Sequence, residues 1–121
     1  MSPSLEDILI VREPITIAAL EPVAALWYGT MIKGVVDIEK AIIALGGEYH
    51  IDANNRLIEE GSEQPDIWGF NIQFEKIGDE WLEYRSLINV RPAADNRSMV
   101  VKDKELQRRM REIIEKLILR S

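Results

Sequence analysis

Cysteine is missing from the 121-residue chain. That absence excludes disulfides, thiolate nucleophiles and cysteine-ligated zinc or iron–sulfur centres together. Histidine occurs once, as His50, and one imidazole rarely builds a metal site, so neither a metal nor a cofactor is expected. Long apolar runs are lacking near the start, where Ile8-Leu9-Ile10-Val11 is the longest. It is far too short for a signal-peptide core or a membrane span, and no basic leader precedes it. A cytoplasmic location without membrane contact is the expectation. Neither a P-loop nor a dinucleotide glycine pattern is present, and no internal repeat, low-complexity tract or inter-domain linker interrupts the chain. The few aromatics, three Trp, three Tyr and two Phe, match a small core and form no stacking stripe for nucleic acid. Trp27, Trp68 and Trp81 are therefore read as core.

What is present fits one domain. With 46% hydrophobic and 30% charged residues, residues 1–121 form a single unit with a loose start over 1–7. A domain of this size buries about two thirds of its unfolded surface without staples. The net charge of -6 argues against general nucleic-acid binding, but its distribution is uneven. Residues 1–84 carry 5 Lys/Arg against 16 Asp/Glu, a balance of -11, whereas residues 85–111 carry 8 against 3, a balance of +5. Such a split marks either an anion site or a basic end that meets an acidic one. It is equally what helix-surface residues paired with neighbouring Glu would give.

The stretch from Asp66 to Ser98 organises the rest. Trp68, Phe70, Ile72 and Phe74 alternate with Gly69, Asn71 and Gln73, the period of a strand with one buried and one wet face. From Trp81 to Arg91 the alternation repeats, with Leu82, Tyr84, Ile88 and Val90 opposite Glu83, Arg85, Asn89 and Arg91. Upstream, Ile8–Arg12 reads as an edge strand ended by Pro14. Thr16 can cap a helix, though Pro22 places its start nearer Leu20 or Glu21 and its end near Tyr28. Met31, Val35, Ile38, Ile42 and Leu45 follow a three-and-four step that predicts a second helix, stopped by Gly46-Gly47. Glu48–Asp52 alternates, with Tyr49 and Ile51 inward, and Asn54-Asn55 suits a tight turn returning through Arg56–Glu60 as a hairpin. Asp103 caps a last helix whose Leu106, Met110, Ile113, Ile114, Leu117 and Ile118 form an apolar stripe. Burying that stripe contributes at most about 10 kcal/mol before entropy; it covers the sheet or pairs with a second copy. The fold class is α+β: an N-terminal edge strand, two N-terminal helices, an antiparallel sheet of about four strands, and a C-terminal helix on the sheet.

Three sets of residues could carry chemistry. Glu48, His50 and Asp52 share a strand face about 7 Å apart, which suits acid/base work by His50 or a merely solvated face. Asn71 and Asn89, mid-strand amides near His50, either grip a ligand or tie a loop backbone. Arg91, Asn96, Arg97 and Ser98 form the densest donor cluster, fit for a carboxylate or phosphate, or else a structured turn in which Arg97 pairs with Asp95 or Glu83.

Taken together, Ala44-Leu45-Gly46-Gly47-Glu48-x-His50-x-Asp52, Gly61-Ser62-x-Gln64-x-Asp66-Ile67-Trp68-Gly69-x-Asn71, Ser86-Leu87-Ile88-Asn89-x-Arg91-Pro92 and Asn96-Arg97-Ser98 resemble a family of short bacterial proteins, frequent in cyanobacteria, known only as a domain of unknown function. The resemblance runs from about Val11 to Leu117 and implies no activity. Two functional classes follow from the residues. The first is a binding or interaction module, expected to be a homodimer, in which Asn71, Asn89, Arg91, Asn96, Arg97 and Ser98 hold a small anion or an acidic protein segment. The second is a small hydrolase or nuclease-like enzyme using His50, with Arg91 or Arg97 steadying developing negative charge.

Overall fold

A computed structural model describes residues 4–120. Residues 1–3 of the start expected to be loose lie outside the described residues, while Leu5–Asp7 form one 3-10 turn closed by Ser4 N–H on the Asp7 carboxylate. The described chain is a single small α+β domain of three layers. Its central five-stranded sheet has the order β1 (Leu9–Val11), β4 (Ile42–Leu45), β3 (Met31–Asp37), β5 (Ile67–Gln73), β6 (Leu82–Glu83), all antiparallel neighbours. A separate parallel pair joins β2 (Ile15–Thr16) to β7 (Ile118–Leu119). The helices are α1 (Ile17–Ala25), α2 (His50–Glu59) and α3 (Lys104–Leu117).

The pleat decides which helix covers which face. Ile32, Gly34 and Val36 stand opposite Ile72, Phe70 and Trp68, so these share one face. There they join Val11, Ile43, Leu45 and Leu82, and α1 and α3 cover them through Leu20, Ala24, Met110, Ile114 and Leu117. Gly34 is needed at that point, because a Cβ would come within 2.5 Å of the Phe70 ring and 2.8 Å of Leu45. On the other face Val35, Ala44, Ile42 and Ile67 pack against Ala53 and Leu57 of α2. Trp68 and Trp81 are in the core as expected, and Trp27 packs at the edge of the α2 layer.

The N-terminal edge strand, the Thr16 cap and the Asp103 helix are as the sequence indicates. β5 is a strand as expected, but its Gly69 and Asn71 side, expected to be wet, is buried too, and the sheet has five strands rather than about four. Four further expectations are corrected. The helix over Met31–Leu45 is a β-hairpin turning at Ile38–Ala41. Its β-branched Ile32, Val35, Val36, Ile42 and Ile43 are buried on both faces of a central pair, and two-sided burial outweighs a helical spacing that occurs by chance. Asp37, fully buried, fixes the turn by accepting from Glu39 N, Lys40 N and Ser62 Oγ. The Glu48–Glu60 hairpin is instead α2: His50, Ala53, Asn54 and Leu57 recur at three-and-four spacing and are buried, whereas Tyr49 and Ile51 are exposed. Asp52 reaches back to Tyr49 N–H at 3.2 Å, so Asn54-Asn55 lies inside a helix, with Asn54 paired to Gln64, rather than in a turn. The Trp81–Arg91 strand stops at Glu83, beyond which only single bridges, Arg85 with Val100 and Arg91 with Asn96, continue the ladder. Finally α1 begins at Ile17, before Leu20, because Thr16 Oγ1 accepts from Ala19 N, and Pro22 falls inside the helix rather than near its start.

Candidate functional site

Where β6 ends, side chains replace the missing strand along β5. The Asn89 amide pairs with both backbone groups of Gly69, accepting from N–H at 2.8 Å and donating to the carbonyl at 3.0 Å. Gly69 must lack a Cβ, which would fall 2.4 Å from Ser86. Two residues earlier, Arg91 donates to the Ile67 carbonyl, with further bonds to Ile88, Gln64 and Pro65 carbonyls, and its guanidinium lies 4.2 Å from the Trp68 ring centre. Burial pushes the Arg91 pKa down from its ordinary value. Asn96 donates to the carbonyls of Asn89, Ser98 and Val100 and accepts from Lys102 N–H. Ser98 Oγ accepts from Val100 N–H. Asn89, Arg91, Asn96 and Ser98 are thus brought together, but their polar groups are committed to backbone. Arg97 is exposed and makes no side-chain bond among the described residues.

The basic run on α3 is neutralised as well. Arg108 pairs with Glu105 and Glu112, Arg111 with Glu115 and Asp79, and Arg109 with Glu39. The α3 stripe is consumed by the core and is not open to a second copy.

Asn71 and His50 sit elsewhere. Lys33 and Asn71 stand directly opposite each other on β3 and β5, on the face that α2 covers. The N-terminus of α2 brings His50 onto them, and a cleft of about 330 Å³ opens there, lined by Lys33, His50, Asn71, Arg85, Ser86 and Ile88, with Tyr49, Ile51, Leu87 and Met99 at its apolar rim. That rim is unusually bare, Tyr49 being 59% and Leu87 72% exposed.

His50 is 8% exposed and its hydrogen bonds fix its state. Nε2 lies 2.9 Å from the Phe70 carbonyl and 2.8 Å from Asn71 Oδ1. The Asn71 amide is oriented by its other end, where Nδ2 donates to Glu83 and to the Arg85 carbonyl. Both neighbours of Nε2 are therefore acceptors, and Nε2 carries the proton. Burial pushes the imidazole pKa down from 6.5, opposed by the Phe70 carbonyl, with Lys33 lowering it further and Asn71 again opposing. The ring is neutral at pH 7, and Nδ1 bears a lone pair. Nδ1 has no partner among the described residues and is not among the enclosed unpartnered side-chain atoms, which are Arg56 Nε and Trp81 Nε1, so it is open to solvent on a residue that lines the cleft. Lys33 Nζ lies 5.2 Å from the Tyr28 ring centre and 5.8 Å from that of Tyr49, and neither Lys33 nor Arg85 forms an ion pair among the described residues.

Sequence reasoning reached His50 and Asn71 but missed Lys33, Arg85 and the rim. Lys33 lies outside the apolar step that predicts a helix over a segment that is a strand. The signal available was its isolation as the one charge within Met31–Val36. The Glu48, His50 and Asp52 trio does not share a face, because the segment turns into α2. No group of three His, Asp or Glu able to hold a metal occurs among the described residues, and no described helix is long and apolar enough to cross a membrane.

A three-layer α+β domain with a polar-floored cleft defines a class broader than any activity. The chain belongs to the family described as protein of unknown function DUF5674, whose model matches residues 9–117. No curated protein and no solved structure matches it.

Proposed function

We propose that the chain is a small ligand-binding module that takes an organic anion with an apolar body in the His50 cleft. The observation that carries this reading is the pair of unpaired cations, Lys33 and Arg85, beside apolar walls of a size that suits a small molecule. The cations supply charge complementarity and the rim supplies contact area. This moves the anion site from the Arg91–Ser98 cluster to the opposite end of β5, keeping Asn71 as the residue that orients the floor. Pairing of two copies, if it forms, uses surfaces other than the α3 stripe, and solution mass tests it.

Hexanoate, hexyl phosphate and hexylamine, matched in apolar length, separate charge from grease in a calorimetric titration. Hexanoate or hexyl phosphate binds and hexylamine does not; Lys33→Ala with Arg85→Ala weakens the anion at least about tenfold, a loss of roughly 1.4 kcal/mol. Equal binding of all three, or of none, rejects the reading.

Hydrolysis by His50 has one observation in its favour, the open Nδ1 lone pair. Arg91 and Arg97 do not line the cleft, so Lys33 or Arg85 would have to take their part. Binding is favoured because a general base must become an imidazolium, and here burial and Lys33 oppose that charge while a neutral amide, not a carboxylate, holds Nε2. Turnover of an ester and phosphoester panel that disappears in His50→Gln would reverse this preference.

A further inference from the structure

We infer that the cleft selects organic acids carrying an O–H or N–H donor beside the carboxylate, the chemistry of 2-hydroxy acids, because His50 presents to it an acceptor and no donor. The inference rests on the binding reading above and narrows it to one ligand class. Four bonds make a chain of fixed orientation: Glu83 Oε1 and the Arg85 carbonyl accept from Asn71 Nδ2, and Asn71 Oδ1 and the Phe70 carbonyl accept from His50 Nε2–H. Reversing the Asn71 amide would face Nδ2 toward the Nε2 proton and Oδ1 toward two acceptors. The tautomer is therefore locked from behind, and Nδ1 is left as an acceptor within the cleft. Lys33 and Arg85 supply only donors. A ligand that complements all three carries negative charge for the cations and one proton for Nδ1. An acid without that proton leaves the buried ring nitrogen desolvated and unpaired, which is where discrimination arises.

Hexanoate, 2-hydroxyhexanoate and 2-methoxyhexanoate, each enantiomer of the last two, form the test series. The methoxy acid keeps bulk and charge but replaces the donor with an ether oxygen that meets the Nδ1 lone pair. On the wild-type protein the hydroxy acid binds at least about tenfold more tightly than the methoxy acid. Because the chain has one histidine, 15N labelling of that residue gives a single imidazole to follow by NMR. The free ring shows a protonated Nε2 and a bare Nδ1, and the Nδ1 resonance moves toward a hydrogen-bonded value with the hydroxy acid only. In His50→Leu the preference for hydroxy over methoxy falls to near unity, whatever the absolute affinities become. Should that variant fail to fold, the wild-type resonances decide alone. A proton found on Nδ1, an unmoved Nδ1 resonance, or equal affinities across the series overturns the inference and leaves the anion reading standing. Failure of all three acids and of hexyl phosphate to bind removes both.

Discussion

Two polar regions border the same strand, and they differ in what their hydrogen-bonding groups are doing. Along the first half of β5, Asn89, Arg91 and Asn96 turn twelve bonds onto backbone groups of residues 64–69 and of the 84–102 segment. At its second half, Asn71 uses both ends of its amide but His50 uses only one side of its ring, which leaves Nδ1, Lys33 and Arg85 without protein partners among the described residues. The first region is richer in donors and the second is poorer, yet it is the second whose unbonded ring nitrogen and unpaired cations belong to residues lining a cleft with apolar walls. Density of polar residues is thus a poor guide to a site, because buried amides and guanidiniums are there to be satisfied. What remains after the internal bonds are assigned is the better one.

The largest effect that would break this contrast falls on Asn89. Asn89→Ala strips both Gly69 backbone groups of their partner and exposes two buried polar atoms to no solvent, so it should cost about 3 kcal/mol of stability, read as a lower urea midpoint. Arg91→Ala comes next, at roughly 2 kcal/mol, since it releases a half-buried fork from several carbonyls and removes the stack on Trp68. Hexanoate affinity stays at the wild-type value in whatever fraction of either protein is folded. A loss of affinity without a loss of stability in Arg91→Ala would return the anion site to the Arg91–Ser98 cluster.

The same bonds explain what could be read in advance. Asn71 and Asn89 stood out as strand residues with poor strand propensity, and both turn out to serve the edge of β5 with their amides. β5 was legible as a strand because Trp68, Phe70, Ile72 and Phe74 alternate with small or polar Gly69, Asn71 and Gln73, although Gly69 and Asn71 are buried as well. The hairpin Met31–Leu45 was not, since a central pair buried on both faces has no alternation to show, and its apolar residues then match a helical step as readily. Segment 48–59 failed for the opposite reason. Only Ala53 and Leu57 are apolar and buried on α2, while Asn54-Asn55 mimics a turn signal, so the helix is fixed by tertiary packing on Val35 and Ile67. Misplacing these two segments hid the cleft, because Lys33 and His50 meet only when one is a strand and the other opens a helix.

A smaller effect concerns pH. The folded state holds His50 neutral, with its pKa below the 6.5 of the unfolded chain. Between those two values the unfolded chain binds the proton and the folded one does not, so stability is complete above about pH 6.5 and falls as pH drops below it. The urea midpoint of wild type should therefore decline from pH 7 toward the folded pKa relative to His50→Gln, which cannot titrate there. A parallel decline in both proteins would assign the acid loss to carboxylates and leave the ring state unsupported.

The smallest effects separate the two regions most sharply. Lys33, Arg85 and Arg97 are cations that no described carboxylate pairs, so their removal should leave the urea midpoint close to wild type. They differ in position: Lys33 and Arg85 flank the cleft, whereas Arg97 lies exposed on the stitched loop. A general attraction between a basic surface and an anion would respond equally to all three, and salt would weaken each alike. A built site responds to two of them. Arg97→Ala is therefore the control that gives the others meaning: hexanoate affinity unchanged in Arg97→Ala but reduced in Lys33→Ala and Arg85→Ala places recognition in the cleft. Equal reductions would instead show that the charge-rich 85–111 segment acts as a diffuse patch, and the contrast between the two ends of β5 would lose its functional half.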